Sequence, residues 1–210
     1  FEAIAATNGS FSFDEERVDN FEIGGKFETV DGDLVVNVAS YVTKVDNMQR
    51  EVNQSSLTAG VAQSIFNTAD ASIFGLEAEG RFRVADSLLL TGNIGYIDAA
   101  YSRVLFDISS DGVVDASDAN LRLPRVPELT WGLGLIHELE LDSSTILSRI
   151  NLQYRDDFAY TDNNFGFIQE ATNLDANVTW KTPVEGLSFS IFGKNLLDEV
   201  QAGGDTRAGR

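Results

Sequence analysis

Twelve consecutive residues, 107–118, hold the side chains whose types and spacing point most clearly to chemistry. Oxygen-bearing side chains stand at positions 1, 3, 5, 9 and 12 of this stretch, and a glycine stands at position 6. The EF-hand calcium loop has the same spacing, with oxygen ligands around the ion and a glycine that permits a sharp turn. The sequence therefore predicts a calcium site with these ligands: Asp107, Ser109, Asp111, Val113 through its carbonyl, Asp115 and Asp118.

The predicted calcium loop departs from the EF-hand pattern in two ways. Position 12 is Asp118 rather than the longer glutamate, so it should bind through one oxygen and give a weak Kd of about 10⁻⁴ to 10⁻³ M. Strands rather than helices are predicted on both sides of the loop. The alternative interpretation is a solvated acidic loop that binds no ion.

Other chemical motifs are missing from the sequence. His137 is the one histidine, so a Ser-His-Asp arrangement would depend on a single residue inside a predicted strand. Gly132 and Gly134 also lie within a strand rather than in a phosphate-binding loop. The chain has no cysteine, which excludes a disulfide scaffold and a thiolate metal site. We therefore predict no catalytic residues, no other cofactor site and no enzyme activity.

Composition limits the classes of protein to consider. The 210 residues are 43% hydrophobic, enough for one all-β domain, and their mean hydropathy is −0.10. No run of about eighteen apolar residues occurs, which excludes a transmembrane helix, but membrane strands need only about ten alternating residues. The net charge of −18 argues against nucleic acid as a partner.

A hairpin over residues 73–102 is the best-defined predicted element. Its first arm alternates with a period of two, which indicates a strand with one apolar and one polar face. A turn at Ala85-Asp86-Ser87 follows, and a second arm alternates in the same way. The apolar face holds Phe74, Leu76, Ala78, Phe82, Val84, Leu88, Leu90, Ile94 and Tyr96, and the polar face holds Glu77, Glu79, Arg81, Arg83, Thr91 and Asn93.

Six further strands are predicted around this hairpin. They cover residues 17–30, 34–49, 127–141, 145–160, 173–181 and 187–196. Short turns at Asp31, Asp86, Asp142 and Pro183 alternate with long polar connections at 51–69, 103–125 and 161–167 and after Leu197. This asymmetry is typical of outer-membrane barrels, whereas a soluble sandwich has no reason to show it.

Five different short motifs lie along or beside these strands. They are aromatic-Glu-x-Gly-x-Lys at residues 21–26, Gly-x-Glu-x-Glu at 75–79, Gly-Tyr-x-Asp-Ala at 95–99, Leu-Pro-x-x-Pro at 123–127 and Asn-Leu-x-Asp at 195–198. In their order and spacing they resemble the late barrel strands of TonB-dependent outer-membrane receptors, and the resemblance covers nearly the whole chain.

The resemblance implies an all-β, antiparallel transmembrane β-barrel segment of about eight strands, part of a larger 22-stranded barrel. Residues 1–210 would be its C-terminal portion, without the plug domain, TonB box and closing strand. It further implies location in the outer membrane of a Gram-negative bacterium, where the receptor actively imports a scarce large solute such as a ferric siderophore. The implied partners are outer-membrane lipid, the imported small ligand and TonB, which would act through the plug; an oligosaccharide or a cobalamin would fit as ligand equally well.

Three alternatives to this interpretation stay open at this stage. They are a passive porin-like channel, a closed eight-stranded barrel, and a soluble β-sandwich that binds calcium or carbohydrate. A sandwich also has one apolar and one polar sheet face, so alternation by itself does not exclude it.

In the barrel interpretation each strand has a lipid face and a lumen face. Lipid should contact Leu174, Val178, Trp180, Leu187, Phe189 and Ile191, and the lumen should contain Asn173, Asp175, Asn177, Lys181, Arg149 and Arg155. Aromatic girdles should mark the two membrane interfaces. Their predicted members are Tyr96, Tyr101, Trp131, Phe158, Tyr160 and Trp180.

Overall fold

A computed structural model describes residues 13–56 and 60–205, which form ten strands and one short helix. The strands are β1 (Arg17–Glu28), β2 (Leu34–Ser56), β3 (Gly60–Ala85), β4 (Leu88–Val104), β5 (Leu129–Leu141), β6 (Ser144–Arg155), β7 (Phe158–Ala159), β8 (Phe167–Ile168), β9 (Ala171–Lys181) and β10 (Ser188–Gly193). The helix α1 (Ala116–Ala119) lies between β4 and β5.

The eight longer strands form one antiparallel sheet in the order β1-β2-β3-β4-β5-β6-β9-β10, and β7 and β8 form a separate small hairpin. The predicted all-β, antiparallel, eight-stranded arrangement is therefore confirmed. It is one sheet and not two packed sheets, so it is not a β-sandwich. Nor is it a closed eight-stranded barrel, because β1 and β10 are the edges of the sheet formed by the described residues.

One face of the sheet is apolar across all eight strands. The register aligns like with like: Phe82 lies between Leu34 and Leu90, and Leu90 lies opposite Leu135. We call this surface the apolar face. Its side chains are exposed although they are large and hydrophobic: Phe21 72%, Ile23 67%, Leu133 57%, Phe189 57% and Ile191 81%. Such a continuous exposed surface requires an apolar surrounding or partner.

The opposite surface, here called the polar face, carries the predicted charged and amide side chains. The Nδ2 of Asn37 donates a 2.9 Å hydrogen bond to Glu79 Oε1 on the next strand. Arg149 lies opposite Asn177, and Asn151 opposite Asp175. The alternation predicted for these strands therefore holds in the structure.

Two stacked aromatic pairs, here called the aromatic belts, lie on the apolar face. Trp131 stacks on Tyr154 with ring centroids 5.7 Å apart, and Trp180 stacks on Phe189 at 6.0 Å. Trp180 pairs with Ile146, eight residues before Tyr154, so about 26 Å of strand separates the belts. An apolar band of about 25 Å between aromatic girdles is typical of membrane barrels.

The sheet has a turn end and a loop end. Short connections join β1 to β2, β3 to β4, β5 to β6 and β9 to β10 at the turn end, and longer segments lie at the loop end. Residues 105–128, here called the acidic loop, connect β4 to β5. Residues 156–170, here called the second loop, connect β6 to β9 and contain β7 and β8.

The polar stretch 51–69, predicted to be a loop, is strand over most of its length. β2 runs to Ser56 and β3 starts at Gly60, while residues 57–59 lie outside the described residues. A register shift between Val45 and Met48 sets off the distal part, residues 48–56 and 60–69, which we call the hairpin extension. The prediction was wrong because it used apolar alternation to identify strands, and backbone pairing here continues without it.

Other predicted elements also differ from the structure. β1 ends at Glu28 rather than at residue 30, and β10 ends at Gly193 rather than at residue 196. β6 ends at Arg155 rather than at residue 160, because the chain turns into the β7–β8 hairpin. Helix α1 lies within the predicted 103–125 connection. The sequence predicted strands on both sides of this connection and no helix inside it.

The buried core lies on the polar face at the loop end. Val45 pairs with Ala71, and Ala71 with Tyr101, and these three continue the rows of polar-face positions. Ile108 and Leu123 of the acidic loop pack onto them. Tyr101 is therefore only 6% exposed beneath the loop, and its prediction as a girdle residue was wrong. Phe158 and Tyr160, also predicted for a girdle, lie in the second loop.

No helix in the described ranges is long and apolar enough to cross a membrane.

The open sheet gives a first prediction. Residues 1–210, expressed alone, should form no heat-resistant monomer in detergent micelles, because both sheet edges expose unpaired N–H and C=O groups that template aggregation. Size-exclusion chromatography and electrophoresis with and without boiling provide the measurement. A compact, heat-resistant monomer would contradict the open sheet.

Candidate functional site

The acidic loop begins with a tight turn built around one carboxylate. Asp107 Oδ1 accepts hydrogen bonds from the backbone N–H groups of Ser110 and Asp111, at 2.7 and 3.2 Å, and Oδ2 accepts one from Gly112 at 2.8 Å. Gly112 has a φ of 94°, a conformation that glycine adopts without strain. The glycine at position 6 thus makes the sharp turn that the sequence predicted.

The second half of the motif folds back onto the first. Asp115 caps α1 by accepting the Ser117 N–H at 2.7 Å. The carboxylate of Asp118 accepts the Asp115 N–H at 3.0 Å and the Ser109 N–H at 2.7 Å. Positions 3 and 12 of the predicted calcium loop are therefore in contact, which closes residues 109–118 into a ring.

The predicted ligands differ in how they are placed. Asp118 is fully buried, whereas Asp111, Val113 and Asp115 are exposed. The loop's carboxylates accept hydrogen bonds from N–H and hydroxyl groups, including that of Ser117 to Asp111 Oδ2 at 3.2 Å. No group of three or more Asp, Glu or His side chains in the described part of the chain is arranged to hold a metal ion. Calcium binding stays a prediction.

The buried carboxylate makes the loop sensitive to acid. Burial raises the pKa of Asp118, but hydrogen bonds from the Ser109 and Asp115 backbone and from the Ser109 hydroxyl outweigh it, so the pKa lies below the ordinary 3.8. A lowered pKa means that the carboxylate's stabilising contribution is present above that value and is lost as pH falls through the folded-state pKa.

We therefore expect the acidic loop to loosen below about pH 3.8 while the sheet stays intact. Hydrogen exchange of residues 107–118 in the full-length protein, corrected for the intrinsic pH dependence of exchange, measures this. An Asp118→Asn variant should lose the pH dependence. Equal pH dependence in parent and variant would show that another group is responsible.

The loop has two apolar anchors that sequence analysis missed. Ile108 at position 2 and Leu123 after α1 are 7% and 5% exposed, and both pack against Tyr101 and its neighbours. They stand in an acidic segment without periodicity, so nothing in the sequence separated them from exposed neighbours such as Val113 and Val114.

The acidic loop is also joined to the second loop. Asn164 accepts the Arg122 N–H at 2.7 Å through Oδ1 and donates to the Arg122 carbonyl at 2.9 Å through Nδ2. The Arg122 guanidinium binds the Asp157 carboxylate at 3.1 Å. A backbone hydrogen bond from Arg125 to the Ala159 carbonyl, at 2.7 Å, completes the junction.

The polar face carries three open concavities in the described part of the chain, and two of them bear on what it could bind. One, of about 310 Å³, has Asn93, Gln153, Asn173 and Arg155 in its lining, and includes no carboxylate. The other, of about 720 Å³, is lined in part by Glu22, Lys26, Glu77 and Glu79. Amide and charged groups of this kind can hydrogen-bond water, a polar solute or a protein segment.

The family model for TonB dependent receptor-like β-barrels matches residues 2–196. Solved structures show the same fold at low sequence identity. The ferric yersiniabactin uptake receptor of Yersinia pestis superposes with a TM-score of 0.73 at 19% identity, covering 92% of this chain and 27% of the receptor chain.

Two receptors of Acinetobacter baumannii are similar in the same way. The siderophore receptor PiuA gives a TM-score of 0.67 at 17% identity, covering 89% of this chain and 27% of that chain. The ferric preacinetobactin receptor gives 0.64 at 14% identity, covering 88% and 26%. The chain thus spans about a quarter of the length of the structures it matches. Its sequence match, its antiparallel sheet and its two-faced strands agree, and the chain belongs to the TonB dependent receptor-like β-barrel family.

Proposed function

We propose that the complete protein lies in the outer membrane of a Gram-negative bacterium and imports a scarce large solute with energy delivered through TonB. Residues 1–210 are then the C-terminal part of its barrel. The observation that carries the proposal is the division of one sheet into an exposed apolar face between aromatic belts and a polar opposite face. Members of this family are receptors that transport ligands, not enzymes.

A ferric siderophore is the solute that we propose. The similar structures are described as receptors for ferric yersiniabactin, for ferric preacinetobactin and for siderophores. At 14–19% identity these structures share the fold with this chain, and the uptake assay with a siderophore panel identifies the ligand.

Transport assays test the proposal. The full-length protein, expressed in a strain without its own siderophore receptors, should restore uptake of radioactive iron from at least one ferric siderophore in a panel. Uptake should stop when the gene for TonB is deleted. Uptake that persists without TonB, together with ion conductance in planar bilayers, would favour the passive channel. Uptake of cobalamin or of an oligosaccharide, with no uptake of iron, would keep the transporter class and replace the siderophore as the proposed ligand.

For the acidic loop we propose weak calcium binding, with Asp107, Ser109, Asp111, the Val113 carbonyl, Asp115 and Asp118 as ligands. Three features support it: the positive φ of Gly112 at position 6, α1 starting directly after Asp115, and the contact between positions 3 and 12. Calcium would compete with the N–H groups that donate hydrogen bonds to these carboxylates. Because that competition weakens binding, we expect a Kd of about 10⁻⁴ to 10⁻³ M.

Calorimetry of the full-length protein with millimolar calcium tests this site. A variant with Asp107→Ala and Asp111→Ala should lose the calcium heat. A matched control, Asp86→Ala with Asp142→Ala, removes two exposed carboxylates from turns at the other end of the sheet and should retain it. Absence of heat in the parent, or equal heat in all three proteins, would leave a solvated acidic loop.

A further inference from the structure

The Arg50 side chain lies where three segments of the loop end meet. It belongs to the hairpin extension, and its Nε and Nη2 lie 3.3 and 3.2 Å from the Met48 sulfur. Its guanidinium carbon lies 5.7 Å from the ring centroid of Tyr101, the β4 residue that the acidic loop covers. Its Nη1 forms an ion pair with Asp162 of the second loop.

This cation is largely withdrawn from water. The Arg50 side chain is 15% exposed, whereas its partner Asp162 is 47% exposed. A charge in such a position depends on its counter-charge and on the ring below it, because removing one partner leaves the other charge desolvated and unpaired. The contact between the hairpin extension and the second loop therefore depends on both side chains.

Further contacts join the same three segments in pairs. Phe66 of the extension stacks on Phe106 of the acidic loop at 5.7 Å, and the Leu105 N–H donates to the Thr68 carbonyl at 2.8 Å. Arg122 and Asn164 join the acidic loop to the second loop, as described above. Each segment thus contacts the other two.

None of the three segments has the packing of an independent unit. β1 pairs with β2 only as far as Asp46, and β4 pairs with β3 only as far as Ala69, so the extension is two-stranded beyond these residues. A two-stranded hairpin is marginally stable by itself. The acidic loop contributes few buried apolar residues. Segments with few buried apolar contacts lie at the low-stability end of a protein and open locally in cooperative units.

We propose that the hairpin extension, the acidic loop and the second loop form one cap over the loop end of the polar face, with the Arg50–Asp162 ion pair as its latch. The cap opens as a cooperative unit. This inference goes beyond import itself, since it states which segments of the loop end open together and which ion pair joins them, and it requires neither calcium nor a particular solute.

Hydrogen exchange with mass spectrometry on the full-length protein in micelles tests the latch. Asp162→Asn leaves Arg50 buried without its counter-charge, and we expect exchange to become about tenfold faster in all three segments. Arg50→Met keeps apolar contact with Tyr101 and removes the charge. The double variant should exchange no faster than the faster single variant, because the two side chains act as a pair.

Two controls make the outcome decisive. Asp162→Glu retains the charge and should restore exchange close to that of the parent. Arg17→Gln breaks an exposed pair with Asp19, whose side chains are 68% and 57% exposed, and should change nothing in the cap. Faster exchange confined to residues 156–170 would show that the three segments open independently. Additive effects of the two single variants, or no change in Asp162→Asn, would show that the ion pair is not the latch. Each of these results would overturn the proposal.

Discussion

Val178→Arg should abolish assembly of the full-length protein in the outer membrane, and Asn177→Arg should not. Val178 lies on the apolar face between Ser148 and Ile191, two residues from Trp180, and it is 46% exposed. An arginine within the apolar band costs up to about 2 to 4 kcal/mol at the membrane midplane, and a substitution on the lumen side costs much less. The neighbouring residue thus provides a control with the same new side chain on the other face.

The measurement is the amount of protein in the outer-membrane fraction and its heat-modifiable migration in electrophoresis. Parent and Asn177→Arg should both show the folded band, and Val178→Arg should show little or none. Equal amounts of folded protein for the two variants would contradict the assignment of the faces.

Leu123→Ala should unfold the acidic loop locally and leave the barrel assembled. Leu123 is 5% exposed in the core between loop and sheet, and truncating such a buried leucine costs about 2 to 5 kcal/mol. Because the loop has few other buried apolar residues, the lost free energy should exceed the free energy of local unfolding of the loop. Val114→Ala removes two carbon atoms rather than three, from a side chain that is 49% exposed in the same loop, and it should have little effect.

Limited proteolysis of the full-length protein measures the difference. Cleavage within residues 105–128 should be much faster for Leu123→Ala than for the parent or Val114→Ala, with the rest of the chain still resistant. Protection equal to that of the parent would show that the loop does not depend on the core beneath it.

The strands that the sequence predicted well are those whose two faces meet different surroundings. In β9, Leu174, Val178 and Trp180 alternate with polar residues, and period two is then sufficient to identify a strand and its faces. The hairpin extension lacks this contrast between an apolar and a polar face. Its strands are held by backbone pairing, which the polar sequence did not indicate. Alternation of apolar and polar residues identifies only strands whose two faces differ in polarity, and it does not detect strands that are polar on both faces.

The candidate site divides in the same way. Calcium-type spacing in residues 107–118 predicted the turn at Gly112, because that turn is made by local residues. It did not predict the place of the loop against Tyr101, nor the contacts of Arg50 and Asn164, because these join residues distant in sequence. Side chains such as Ile108 become recognisable as anchors only once the sheet beneath them is known.

If this chain is a membrane-barrel segment, its apolar face contacts lipid, and spin-label accessibility along β9 tests that contact most directly. The 210 residues contain no cysteine, so within them a nitroxide label attaches only at a single cysteine introduced at one of positions 173 to 180. The labels are placed in the full-length protein in bilayers, after replacement of any cysteine outside these residues. We expect accessibility to oxygen, which concentrates in lipid, to be high at Leu174, Val178 and Trp180 and low at Asn173, Asp175 and Asn177. Uniform accessibility, or high oxygen accessibility at the polar positions, would contradict lipid contact at the apolar face.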